Sequence, residues 1–333
     1  MKGIQLSSYV KGPSDLTVTT LPDPVPAADE YLISIRAAAT NFFDLLQIQG
    51  KYQHQPPFPW ISGMEFAGVV LHAPPTAKYP IGTRVFGAKQ GAYSTLITVK
   101  EDVLHAVPAG WSFADAAGLY VTAPTSYAAL HLRARLAPGE TVLVHAGAGG
   151  VGLAAIQIAK AAGATVIATA GTGEKLAVCR RFGADHGVDY RGKGWSAEVL
   201  ALTGGRGVDV VFDPVGMVEA SLKCVAWNAR VLVVGFAGGV IEKVAMNRVL
   251  LKNVSVVGIH WGMYAEKERE ERTVEKVWDG LLGLVGEGRF KPTVYDKEFV
   301  GLESVGAALQ ALGGRETWGK VVVTVPEEKG SRL

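Results

Sequence analysis

The sequence predicts an α/β protein in which a doubly wound parallel sheet is joined to a second, β-rich domain. Three observations carry this expectation. From Ala137 on, apolar strand-like runs alternate with helical stretches, and up to about Val107 the chain is short β-rich runs broken by proline and glycine. Within the alternating region Gly147, Gly149 and Gly152 stand in G-x-G-x-x-G spacing. Strands buried on both faces and joined by helices mark a parallel sheet, whereas short runs with turn signals between them mark a compact β domain.

In chain order, the β-rich runs are LISIRAAA, EFAGVVLHA, RVFGA and YSTLITV, with proline-rich connectors. The alternating region then reads TVLVHA, ATVIATA, GVDVVFD, RVLVVGF and VSVVGIH, each followed by a helical stretch except the last. After His260 comes EKEREERTVEKVWDGLLGLV, whose mixed charges read as a solvated helix face. The closing stretch, from Lys291 to Val325, returns to strand, helix and strand. At 333 residues the chain suits two domains.

The glycine motif has a specific physical demand. Thr141 to His145 is a β-branched run that feeds the glycines, and an alanine-rich helix follows. One glycine makes the tight turn, the next lets backbone N–H groups approach a pyrophosphate, and the third lets helix pack on strand. The strand, the turn and the helix together predict a Rossmann-type dinucleotide site, with Gly147, Ala148, Gly149, Gly150 and Val151 at the phosphates. An NAD site normally places an acid at the end of the second strand, about 20 residues on. Here that end reads Thr169-Ala170-Gly171-Thr172-Gly173-Glu174-Lys175, with no acid until Glu174 and a lysine beside it. Lys175 would hold a 2′-phosphate, so NADPH is the expected cofactor; the alternative is a solvated helix-face lysine paired with Glu174.

Composition excludes several classes. The chain is 48% hydrophobic and 19% charged, with a net charge of +2, an ordinary globular balance with no nucleic-acid signature. No apolar run reaches the roughly 18 residues of a membrane span, and the start lacks a signal-peptide profile, so a cytoplasmic location is expected. The last three residues, Ser331-Arg332-Leu333, are similar to a peroxisomal address, which makes the peroxisome the second expectation. Cys179 and Cys224 stand far apart and are expected as buried apolar residues.

Several motifs together resemble the zinc-independent branch of the medium-chain dehydrogenase/reductase superfamily, the quinone oxidoreductase or ζ-crystallin-like enzymes. They are NFFD (Asn41 to Asp44) with GKY (Gly50 to Tyr52), GMEFAG (Gly63 to Gly68), TSYAAL (Thr125 to Leu130), HAGAGGVG (His145 to Gly152), FGADHGVDY (Phe182 to Tyr190), FDPVG (Phe212 to Gly216) and GKVV (Gly319 to Val322). The resemblance implies a GroES-like catalytic domain built from both ends of the chain, residues 1–124 and 267–333, around a Rossmann domain at 125–266. It also implies a homodimer, formed through the edge of the nucleotide-domain sheet near Val254 to Gly258. Methionine at position 64 stands where zinc enzymes of the superfamily carry a histidine ligand, and their ligating cysteines are missing too, so no metal is expected.

Carried over position by position, the resemblance implies that Gly171, Lys175 and Tyr190 hold the 2′-phosphate. Thr125, Val215, Gly235, Phe236, Ala237, Ile259, His260 and Trp261 would line the cofactor cleft, with Thr125 and His260 near the nicotinamide. Arg315 would lie by the adenosine phosphate or be a surface loop residue. Asn41 and Tyr52 would face nicotinamide and substrate, Tyr52 donating a proton or hydrogen bond or else only packing. Asp44 and Glu65 read as structural.

Losing the metal narrows the chemistry. Reducing a simple ketone makes an alkoxide of pKa ~16, while reducing a quinone makes a phenol-like oxyanion near ~10, a gap of roughly 8 kcal/mol. Acceptors that delocalise the charge themselves avoid that gap. The expected function is an NADPH-dependent, metal-independent reductase of quinones or α,β-unsaturated carbonyls. An enoyl-thioester reductase is the nearest alternative, and a non-catalytic NADPH-binding structural or RNA-binding protein is the alternative of another class.

Overall fold

The computed structural model describes residues 1–269 and 271–327. Two compact units are present, one made of Met1–Val121 and the chain from Pro292 on, the other of Thr122–Lys291. Both expected architectures are found.

In the first unit the chain forms β1 (Tyr31–Ala39), α1 (Phe42–Ile48), β2 (Glu65–His72), β3 (Arg84–Ala88), β4 (Leu96–Val99) and β5 (Leu104–Ala106). Along β1, buried Tyr31, Ile33 and Ile35 alternate with half-buried residues, the period of a sheet with one face on the core. The strands pair antiparallel: β1 with β2 and β4, then β2 with β3 and β3 with β5.

The chain then enters the second unit through α2 (Thr122–Tyr127) and builds β6 (Thr141–Val144), α3 (Gly150–Ala161), β7 (Thr165–Ala170), α4 (Gly173–Arg181), β8 (His186–Asp189), β9 (Val208–Asp213), β10 (Val225–Val233) and β11 (Ser255–Gly258). Among the described residues its sheet runs β8-β7-β6-β9-β10-β11, parallel throughout. Leu143, Ile167, Val188, Val211 and Val231 form its core, covered on both faces. That explains the unbroken apolar, β-branched runs at β6, β7 and β9. The edge strand β11 is open, with Val256 exposed.

The helix α5 (Thr273–Gly286) also belongs to this unit. The sequence predicts a return to the β-rich domain at residue 267, whereas the boundary between the units falls between Lys291 and Pro292. The reason is the inner face of α5, where Val277, Trp278 and Leu281 are buried. The helix packs on α2, with Gly280 so close to the Tyr127 hydroxyl that no side chain would fit. Beyond it, Gln157 and Lys291 exchange two hydrogen bonds. Back in the first unit, β12 (Phe299–Val300), α6 (Val305–Gly313) and β13 (Val322–Thr324) follow; β13 pairs parallel with β12 and antiparallel with β1. No helix among the described residues is long and apolar enough to cross a membrane, and Ser331 to Leu333 lie outside the described residues.

Candidate active site

The turn between β6 and α3 has the close backbone approach that its glycines permit. A Cβ on Gly147 would lie 2.9 Å from Ala168 Cβ and 3.0 Å from Cys179 Sγ. On Gly152 it would run into the carbonyl oxygens of Ala146 and Gly147. Ala146 turns the chain at φ 46°. The N-cap of α3 is Gly149, which brings no capping side chain. The first-turn N–H groups of a 12-residue helix are thus left for an outside acceptor, and the helix dipole favours an anion there. The loop fits a pyrophosphate.

The end of β7 supplies the second contact. Thr172 caps α4, its Oγ1 accepting from Lys175 N at 3.2 Å, so Lys175 stands in the first turn. A cation there opposes the helix dipole, which favours an acid at that place. A Cβ on Gly171 would lie 3.1 Å from the Tyr190 hydroxyl, which crosses above it from the end of β8. The structure brings the Tyr190 hydroxyl over Gly171 and sets Lys175 in the next helix's first turn; β7 itself ends without an acid, and Asp189, beside Ala170 at the end of β8, is ion-paired with Arg191. Cation, phenol and open glycine suit a phosphate on the ribose.

The other expected cofactor residues of this unit sit at the carboxyl ends of the parallel strands, where such sheets bind ligands. After β9, Asp213 accepts from the N–H groups of Val215, Gly216 and Met217 and shapes the turn that carries Val215. After β10, Ala237 N bonds Pro214 O and Gly238 N bonds Val215 O, which stitches Gly235–Ala237 to that turn. After β11, Ile259 N bonds Val233 O, and exposed His260 and half-buried Trp261 follow. Thr125 lies in α2, whose neighbouring Ser126 donates to Val151 O at 2.8 Å beside the glycine turn. His145, at the end of β6, is wholly buried between Thr169 and Ser221, and burial pushes its ring pKa down to about 4. Both cysteines are buried, and burial pushes the Cys179 thiol up to about 12 and that of Cys224 to about 11.

Three of the expected residues belong to the first unit. Arg315 is exposed after α6, at φ 58°. Tyr52 is half-buried with its ring stacked on Phe43, and burial with the nearby Asp44 carboxylate raises its pKa, so the phenol keeps its proton. Asn41 caps α1 and is buried. Its Nδ2 donates to Glu65 Oε2 at 2.9 Å, and its backbone N–H donates to Asp44 Oδ2 at 2.8 Å. Asp44 Oδ2 also accepts from the Tyr93 hydroxyl at 2.6 Å, while Oδ1 is buried with no hydrogen-bond partner. Burial pushes the Asp44 pKa up to about 7.

Lys320 completes this cluster, and sequence reasoning assigned it no role. Its Nζ lies 2.6 Å from Glu65 Oε2, 2.7 Å from Asn41 Oδ1 and 3.0 Å from Thr40 O. Glu65 Oε1 accepts from Val121 N at 2.5 Å. The available signal was a lysine directly before the apolar run Val321-Val322-Val323. Among the described residues, no three His, Cys, Asp or Glu side chains converge as metal ligands would.

Residues 150–279 match a family model described as zinc-binding dehydrogenase, and residues 27–109 match the alcohol dehydrogenase GroES-like domain. A rat quinone oxidoreductase-like protein 2 is 36% identical over 309 residues, 91% of this chain and 87% of that protein. The Escherichia coli quinone oxidoreductase complexed with NADPH superposes with a TM-score of 0.85 at 28% identity, covering 97% of this chain and all of that one. The CurK enoyl reductase superposes equally well, TM-score 0.85 at 27% identity, over 98% and 99% of the two chains.

Proposed function

The chain belongs to the quinone oxidoreductase family of medium-chain dehydrogenases/reductases, and on that footing we propose an NADPH-dependent, metal-independent reductase of quinones or α,β-unsaturated carbonyls. The observation that carries the reading is the end of β7, which itself carries no acid, with the Tyr190 hydroxyl over Gly171 and Lys175 in the first turn of α4. Bound NADPH supplies a hydride. The chain's part is to hold the pyrophosphate on the glycine turn, hold the 2′-phosphate with Lys175 and Tyr190, and offer donors to the acceptor's oxygen. Asn41, through its amide, and Tyr52, which stays protonated, are those donors. Thr125 and His260 flank the nicotinamide.

Purified protein assayed with NADPH and NADH on 9,10-phenanthrenequinone, 2-hexenal and crotonyl-CoA tests the proposal. Turnover of the first two with NADPH, unchanged by a chelator, is the expected result. Likeness to the CurK enoyl reductase supports a second reading, an enoyl-thioester reductase, and turnover of crotonyl-CoA alone would replace the first reading with it. NADPH binding without turnover of any acceptor would favour a non-catalytic binding protein.

We place the partner copy on β11, an unpaired edge strand with Val256 exposed, where antiparallel addition of a second copy would extend the sheet. Val256→Lys should then yield monomers in sedimentation analysis. A cytoplasmic location is proposed with it.

A further inference from the structure

Lys320 is 3% exposed, and its three N–H donors meet three acceptors: Thr40 O, Asn41 Oδ1 and Glu65 Oε2. Glu65 Oε2 in turn accepts from Asn41 Nδ2. The Asn41 amide is therefore held between a group that can only donate and one that can only accept. Turned over, it would set Nδ2 against the ammonium and Oδ1 against the carboxylate. Only one of the two amide orientations survives, and the Asn41 backbone is fixed as well, by Asp44.

As a stability device the pair is poor, since desolvating two charges offsets most of what their attraction returns. Its distinctive product is the state of the amide. With Oδ1 bound by an ammonium and one Nδ2 hydrogen given to Glu65, the planar amide fixes the direction of its second Nδ2 hydrogen as well. We propose that Lys320 is a positioning residue for hydride acceptance: with Glu65 it locks the Asn41 amide so that its second N–H meets the acceptor's oxygen as negative charge develops there. The proposal rests on the reading of Asn41 as acceptor-facing. It assigns to a buried ion pair the orientation of a neutral donor.

Lys320→Met alone strands the Glu65 carboxylate and threatens folding, so the test uses the double variant Lys320→Met/Glu65→Gln, with Asn41→Ala and the triple variant. Full-length protein labelled with ¹⁵N-asparagine reports the Asn41 side-chain amide, assigned by its loss in Asn41→Ala. In the double variant its hydrogen exchange should accelerate at least about 10-fold, and an unchanged rate would overturn the proposal whatever the activity. On 9,10-phenanthrenequinone the double variant should lose about 100-fold in kcat with little change in the KM for NADPH. Asn41→Ala should lose a similar amount, and the triple variant no more than either. Independent, multiplying losses would overturn the positioning role. A wild-type protein that turns over no acceptor would defeat the proposed function, while the exchange measurement would still decide whether Lys320 holds Asn41.

Discussion

Ser221 Oγ lies 2.8 Å from His145 Nε2 and 2.7 Å from the carbonyl oxygen of Met217. A serine hydroxyl has one hydrogen, and a carbonyl can only accept, so that hydrogen goes to Met217 and His145 Nε2 must carry the ring proton. Nδ1 then accepts from Thr169 Oγ1 at 2.9 Å. Burial holds the imidazole neutral, against the pull of Asp213 toward charge. The ¹⁵N shifts of His145 should show the Nε2–H tautomer unchanged down to about pH 5. A ring titrating near its ordinary 6.5 would refute this. Because the folded value is depressed, the neutral ring's contribution is present above pH 6.5 and lost as pH falls through about 4.

Asp44 works with the opposite sign. Burial raises its carboxyl from the ordinary 3.8 to about 7, so folding favours the protonated form. Its contribution is fully present below pH 3.8 and is lost as pH rises through about 7, by about 4 kcal/mol in all. Asp44→Asn keeps an acceptor for Tyr93 and the Asn41 N–H and carries no charge at any pH. Urea midpoints should show the variant gaining on the wild type as pH rises from about 4 to about 7, with no further gain above about 8. A constant difference between them would mean that Asp44 is already ionised at low pH.

What could be read from the sequence follows from the range of the forces involved. The glycine turn was legible because its demand is local: Gly152 has the backbone of Ala146 and Gly147 where a side chain would go. The strands β6, β7 and β9 were legible because both faces are covered. β8 was not read as a strand, since its four residues bury only Val188. The charges of α5 read correctly as a solvated face, yet its unit is decided by Val277, Trp278 and Leu281 on the other side. Lys320 was illegible for a different reason. Its partners Asn41 and Glu65 come from 279 and 255 residues away, and no spacing rule reaches that far.

The Lys320–Glu65 pair also makes a stability prediction. Removing the ammonium alone leaves a carboxylate wholly buried and stripped of its counter-charge, though the Val121 N–H and the Asn41 amide still donate to it. Lys320→Met should cost about 3 to 5 kcal/mol, while Lys320→Met/Glu65→Gln should recover most of it, because the charge left behind, and not the lost attraction, is the larger cost. Urea unfolding of the two variants measures the difference. Equal losses would show that Glu65 tolerates burial unpaired.

Lys175 sets function against local helix electrostatics. A cation in the first turn of α4 faces the positive end of the helix dipole, a cost of about 0.3 to 1 kcal/mol, and Thr172 already supplies the cap through the Lys175 backbone N–H. The side chain is therefore not needed to start the helix. Against a 2′-phosphate it would form a charge-assisted hydrogen bond of about 1.5 to 3 kcal/mol. Lys175→Ala should raise the KM for NADPH about 10- to 100-fold, leave that for NADH within about 2-fold, and change the stability of the unliganded protein by no more than about 1 kcal/mol. Tyr190→Phe should move the NADPH value in the same direction by a smaller factor, since a neutral hydroxyl makes the weaker bond. Equal changes for the two cofactors would remove Lys175 from the phosphate site and return it to the solvated helix face.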